Sequence, residues 1–234
     1  MDKTKLLVVI PARSGSKGVR DKNIQTINGK TLLEHAVRFG QKIPLDKDIY
    51  VSTDSSYYEK IALAFGAKSI GLRPKYLSDD KASTVDVIID LLEGLSEDYS
   101  HIVLLQPTSP IRKTYDVTRI IEEIEGSDFV AGTTIGKVAD PHPYKMKSLS
   151  IDGVIRNFLP GTSSEVNRQS LPICYSLTGG VYVITTGAFR KFQSFLPERT
   201  FGQLVDYEFV NVDTYIELDF LKYLIEIKES FFYE

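Results

Sequence analysis

Leu6-Leu7-Val8-Val9-Ile10, followed without a break by Pro11-Ala12-Arg13-Ser14-Gly15-Ser16-Lys17-Gly18, is the stretch that decides the fold. Five consecutive apolar residues with no polar alternation read as a strand buried on both faces, as at the centre of a parallel sheet. The loop that follows lies at the carboxyl end of that strand, the edge where open α/β sheets bind ligands. Gly15 and Gly18 let the backbone approach a phosphate closely and aim N–H groups at it. Arg13 offers a planar fork to phosphate oxygens, and Lys17 and Lys22 add point charges. Together with Arg20 these cations form a local cluster suited to a small phosphorylated ligand. The spacing matches neither G-x-x-x-x-G-K-[ST] nor G-x-G-x-x-G, which argues against a P-loop enzyme and a dehydrogenase.

Working outward, Thr31 can cap a helix to about Lys42 with Leu32, Leu33, Ala36, Val37 and Phe39 inward. Asp48–Thr53 reads as a second strand, and Ser55–Phe65 as a helix ended by Gly66. Val85, Ile88, Ile89, Leu92 and Leu95 have helical spacing within Ser83–Leu95. His101–Leu105 is a further strand, stopped by Pro107 and Pro110. Val117, Ile120, Ile121 and Ile124 mark a helix, and Phe129–Thr133 a strand. This alternation predicts an α/β fold with a doubly wound, mostly parallel sheet. From Ile135 to Tyr175 the rhythm breaks at Pro141, Pro143, Pro160 and Pro172, which reads as an inserted flap or dimer contact. Gly180–Ile184 then resumes the core. Phe209–Val212 reads as a late strand, and Thr214–Lys228 as a helix with Ile216, Phe220, Leu221, Leu224 and Ile227 inward. Phe231, Phe232 and Tyr233 read as packing on a core or a subunit. The expectation is one domain over residues 1–234 with an insertion at about 135–175.

The 234 residues carry a net charge of −3 and 42% hydrophobic side chains, enough for one buried core. A sequence pI of about 5.7 without a basic stripe argues against a nucleic-acid partner. A single cysteine, Cys174, rules out an intrachain disulfide and fits a reducing compartment. The first residues lack a signal-peptide pattern and no stretch approaches a membrane span. The expected location is the cytoplasm.

Ile10-Pro11-Ala12-Arg13-Ser14-Gly15-Ser16-Lys17-Gly18, continuing through Lys22-Asn23-Ile24, closely resembles the opening signature of the CMP-N-acylneuraminate cytidylyltransferases, the CMP-sialic acid synthetases. Ser52-Thr53-Asp54, Leu72-Arg73-Pro74, Leu77 to Thr84, and Leu104-Leu105-Gln106-Pro107-Thr108-Ser109-Pro110-Ile111-Arg112 continue the likeness. Asn167-Arg168-Gln169, Thr178-Gly179-Gly180 and Val212-Asp213-Thr214 follow in the family's order. The resemblance implies a Rossmann-like nucleotidyltransferase fold and transfer of CMP from CTP to an acidic nine-carbon sugar. It puts Arg13, Lys17 and Lys22 at the phosphates in a loop shaped by Gly15, Ser16 and Gly18. Asn23, Arg73, Thr84 and Gln106 would bind the nucleotide; Gln106, Lys145, Arg168 and Gln169 would face the sugar. Gln106 carries both an amide donor and an acceptor, which suits a pyrimidine edge or a ribose. Arg112 reads equally as a salt bridge or a contact. His142, alone between two prolines, reads as a turn residue before a base. A homodimer is also implied, with the insertion reaching the partner. Legionaminic, pseudaminic and eight-carbon acids stay open as alternative sugars.

Transfer from a triphosphate calls for Mg²⁺, held through one or two carboxylates plus phosphate oxygens. Asp213 follows a strand-like run and matches the second aspartate of the family's D-x-D pair. Asn211 stands at the first position, where its oxygen brings no charge. Asp213, with Asn211 beside it, is therefore the expected metal site, with Thr214 rather than Asp213 capping the next helix. A catalytically silent nucleotide-binding module is the reading from another class, with Asn211 as its support.

Overall fold

The computed structural model describes residues 5–79, 82–138 and 140–227, with the side chain of Arg168 left out. Phe231, Phe232 and Tyr233 lie outside the described residues. Six strands form the main sheet: β1 (Lys5–Pro11), β2 (Asp46–Ser52), β3 (His101–Leu104), β4 (Ala131–Val138), β5 (Cys174–Thr185) and β6 (Thr200–Leu204). Their order is β6-β4-β5-β3-β1-β2. All pairings are parallel except those of β5, which runs antiparallel to β3 and β4.

The apolar run in β1 has a two-sided explanation. Leu6, Val8 and Ile10 join one core with Leu33, Ala36, Val37, Val117 and Ile120. Leu7 and Val9 join the opposite core with Ile88, Leu91 and Phe189. Helices α1 (Leu32–Lys42), α2 (Ser56–Ala64) and α4 (Thr114–Glu125) therefore cover one face. Helices α3 (Thr84–Glu93) and α5 (Thr186–Phe192) cover the other. This is the doubly wound, mostly parallel sheet read from the sequence.

The expected caps are present. The Thr31 side chain accepts the N–H of Glu34, and Ser55 that of Tyr58. Gly66 closes α2 at φ 90°, a left-handed position that favours glycine. The winding of the sheet reverses at β1: after β2 on one side, the chain crosses to β3 on the other. That switch point opens a crevice at the carboxyl ends of β1 and β3.

Two expectations at the carboxyl-terminal end need correcting. Phe209–Val212 is not a strand. Val210 and Val212 are buried, so the alternation is real, but the chain runs beside the Thr108 loop through one bond, Val212 N to Thr108 O at 2.8 Å. The remaining sheet strand is β6, whose Thr-Phe-Gly-Gln-Leu sequence has little apolar signal because it lies at an edge. In α6 (Tyr215–Ile227) the inward residues are Leu218, Leu221, Leu224 and Ile225. They pack with Val19, Ile27, Leu32 and Ile111. Ile216, at 82% exposure, faces outward with Phe220 and Ile227. The helix is apolar on two faces, so spacing alone does not choose between them.

Between β4 and β5 the chain leaves the sheet. Lys147–Leu149 and Ile155–Asn157 form a small antiparallel ribbon there. Its Leu149, Ile151 and Ile155, with the following Phe158 and Ile173, are exposed.

Candidate active site

The loop 11–24 is held at several points by residues distant in sequence. Asp54, just past β2, accepts the Ser14 N–H at 2.8 Å and the Ser14 hydroxyl at 3.0 Å. Asn23 is buried and donates its amide N–H to the Arg13 carbonyl at 2.9 Å. Tyr58 donates to Asp21 at 3.2 Å, and the Arg20 N–H donates to the Tyr215 hydroxyl at 3.3 Å. These bonds fix the backbone path while the cationic side chains line the cleft beside it.

That cleft has a volume of about 500 Å³. Arg13, Ser16, Lys17, Gly18, Lys22 and Asn23 form one wall. Arg73, Thr84 and Gln106 form the others, with Asp213 at the rim. Nearly all of the expected nucleotide residues thus converge from segments after β1, β2 and β3. Gly15 is absent from the lining, although a β-carbon there would meet nothing within 4 Å. Gly18 differs: its β-carbon would lie 2.1 Å from the Asp213 carbonyl oxygen. Its missing side chain makes room for the backbone segment that leads into α6.

Arg73 is 9% exposed, and its Nε and Nη2 have no hydrogen-bond partner among the described residues. Burial lowers its pKa; the nearby Asp54 opposes that shift and Arg13 adds to it. A buried guanidinium with unused donors costs free energy unless an acceptor-rich ligand completes it. Thr84 is the first residue of α3, whose cap is Ser83 in a reciprocal capping box with Asp86.

Arg112 does not line the cleft. It is 1% exposed and donates to the Gly180 and Gln106 carbonyls at 3.0 and 2.9 Å. Its guanidinium lies 5.2 Å from the Phe39 ring centroid. It holds the Gln106 loop from beneath. Gly179, at φ 75°, supports the same loop, since its β-carbon would stand 2.5 Å from Ser109 Oγ.

Asp213 is free of capping duty. Glu217 accepts from the Asp213 and Thr214 N–H groups at 2.8 and 2.7 Å, while the Thr214 hydroxyl accepts from Glu217 N at 3.4 Å. The Asp213 carboxylate instead pairs with Lys22 Nζ at 2.7 Å through Oδ1. Its Oδ2 accepts from Asn211 Nδ2 at 3.2 Å. No group of three or more His, Cys, Asp or Glu gathers among the described residues. Asp213 fits the one protein carboxylate that a phosphate-bound Mg²⁺ uses. Asn211 is not among the lining residues, and its amide oxygen accepts from Ser109 Oγ at 3.1 Å.

Two of the expected sugar residues stand apart from the cleft lining of their own chain. Lys145 and Gln169 are not among its lining residues. Lys145 Nζ donates to the Ser164 and Val166 carbonyls at 3.1 and 3.4 Å, bracing the ribbon region. Arg168 begins a short 3-10 turn, and its side chain is outside the description. His142 donates from Nε2 to the Pro172 carbonyl at 2.9 Å and accepts the Tyr144 N–H at Nδ1. Both ring nitrogens are committed, as for a turn residue. Sequence reasoning assigned no role to Asp54 or Ser109; their places at the carboxyl ends of β2 and β3 were the available signal.

No helix among the described residues is long and apolar enough to cross a membrane. The sequence model of the family described as Cytidylyltransferase matches residues 7–150. The N-acylneuraminate cytidylyltransferase of Streptococcus agalactiae serotype V is 33% identical over 213 residues, 90% of this chain and 51% of that protein. The chain therefore spans about half the length of the first curated relatives it matches. The CMP-N,N'-diacetyllegionaminic acid synthase of Legionella pneumophila is 29% identical over 97% of this chain and 98% of that protein. A solved structure of CMP:2-keto-3-deoxy-manno-octonic acid synthetase complexed with CTP superposes with a TM-score of 0.69. It is 19% identical, with 96% of this chain and 100% of that one covered, and shares the fold.

Proposed function

The chain belongs to the cytidylyltransferase family, and from that premise we propose that it transfers CMP from CTP to the anomeric hydroxyl of a sialic-acid-type nine-carbon acid. The sugar oxygen bonds to the α-phosphorus and pyrophosphate departs. The observation that carries this reading is Arg73, a buried guanidinium with unused donors inside a cation-lined cleft at the switch point. The N-acylneuraminate relatives support the choice of sugar. The near full-length match to the legionaminic acid synthase supports that acid as the second reading.

Arg13, Lys17 and Lys22 bind the triphosphate, where a positioned charge acts on the oxygens that gain charge in the transition state. Gly15, Ser16 and Gly18 shape that loop, and Asn23 holds it through the Arg13 carbonyl. Thr84, Arg73 and Gln106 hold the nucleoside. Gln106 also meets the sugar. Asp213 holds Mg²⁺, which neutralises phosphate charge when bound. The chemistry rests on positioning and charge stabilisation by the cations that line the cleft.

Lys145, Arg168 and Gln169 are assigned to the sugar across a homodimer. The exposed Leu149, Ile151, Ile155, Phe158 and Ile173 supply an apolar surface for the second copy. Sedimentation at twice 26.3 kDa fits this assembly; sedimentation as a monomer at working concentration removes it. A single cysteine suits a cytoplasmic setting.

Nucleotide selectivity tests the base reading. Cytosine presents adjacent acceptors at O2 and N3, whereas uracil presents an N–H at N3. Arg73 donors facing that N–H would stay unpaired, at about 1–3 kcal/mol. Calorimetry should show CTP binding roughly ten- to a hundredfold tighter than UTP. Equal affinities contradict the role of Arg73.

A further inference from the structure

Both oxygens of the Asp213 carboxylate are held by neighbours, by Lys22 at Oδ1 and by the Asn211 amide at Oδ2. A carboxylate oxygen only accepts, so the Asn211 amide must turn its N–H toward Asp213. That turns its oxygen toward Ser109. Ser109 is buried with its N–H on the Gln106 carbonyl at 3.1 Å, and its hydroxyl donates to the oxygen that this orientation presents. Turning the Asn211 oxygen toward the Asp213 carboxylate to share a cation with it would break the amide bond to Asp213 and leave that carboxylate with Lys22. The cleft lining holds Arg13, Lys17, Lys22 and Arg73 against Asp79 and Asp213, a balance that disfavours a bare divalent cation.

We infer that Asn211 is a positioning residue that holds the Asp213 carboxylate by donating to it, and that the site takes one divalent cation only together with the nucleotide triphosphate. The triphosphate gives Lys22 another anionic partner and brings phosphate oxygen ligands to the cation. Asn211 keeps Asp213 in place while Lys22 changes partner. This rests on the cleft being a CTP site.

The test is a Mn²⁺ titration followed by electron paramagnetic resonance, with and without CTP and with no acceptor sugar. The free wild-type chain should bind no Mn²⁺ at concentrations where, with CTP, it takes one per chain in a protein-bound ternary complex. Asn211→Asp adds a second carboxylate and should bind Mn²⁺ without CTP at least tenfold tighter than wild type. Asn211→Ala should leave metal-free CTP affinity unchanged while weakening Mn²⁺ in the ternary complex several-fold, an effect that a purely structural role would not separate. Tight Mn²⁺ binding by the free wild-type chain overturns the proposal, as do two variants that titrate like wild type. Thermal melts confirm folding, and Asn211→Ala carries the test if Asn211→Asp unfolds. Absence of CTP binding by wild type both with and without metal would instead sink the reading of the cleft.

Discussion

Replacing Arg13 with alanine lowers the rate of pyrophosphate release about a hundred- to a thousandfold and leaves the melting temperature near wild type. Loss of one preorganised donor to a developing anion costs about 2.7–4 kcal/mol of transition-state stabilisation. The Arg13 carbonyl accepts from Asn23, and alanine keeps that carbonyl. The side chain lines an open cleft, where substitutions away from packing contacts change stability by about 0.5 kcal/mol or less. Activity and stability therefore part. Wild-type turnover by Arg13→Ala would remove the phosphate assignment; a large drop in melting temperature would recast the residue as structural.

Replacing Gly18 with alanine has a different signature, because stability and activity fall together. The new β-carbon would stand 2.1 Å from the Asp213 carbonyl oxygen, and neither backbone can yield cheaply. Overpacking of this kind costs about 1–3 kcal/mol, which lowers the melting temperature by roughly 3–10 °C in a chain of this size. Relief requires the loop or the Asp213 segment to move, and either motion separates Lys22 from Asp213, paired at 2.7 Å. CTP affinity should fall at least tenfold. Gly15→Ala is the control, since open space surrounds that position and its melting temperature should not change. A Gly18→Ala protein with wild-type melting and CTP binding contradicts the coupling between the two segments.

Gly18 also marks how far a sequence can be read. Cations and glycines after an apolar strand announce an anion site, because that chemistry is local and the strand's edge position follows from its composition. The structure keeps that placement and adds a second reason for the glycine, a backbone that returns almost two hundred residues later. Asp54 is the same kind of case. Nothing in Ser-Thr-Asp says that its carboxylate will grip Ser14, because that bond depends on β2 lying beside β1. The core faces of α1 and α4 were legible because each has one apolar stripe. In α6 two stripes compete, and packing against Val19 and Ile111 decides between them. Asn211 was legible as a departure from aspartate, but its orientation depends on Ser109, more than a hundred residues away.

The most direct measurement is pyrophosphate release from CTP and Mg²⁺ with N-acetylneuraminic, legionaminic, pseudaminic and an eight-carbon ulosonic acid offered separately. Release that depends on a nine-carbon acid, strongest with N-acetylneuraminic acid and with legionaminic acid second, is the predicted result. No release with any of the four, from a protein that binds CTP, would contradict transfer and leave a silent nucleotide-binding module in its place.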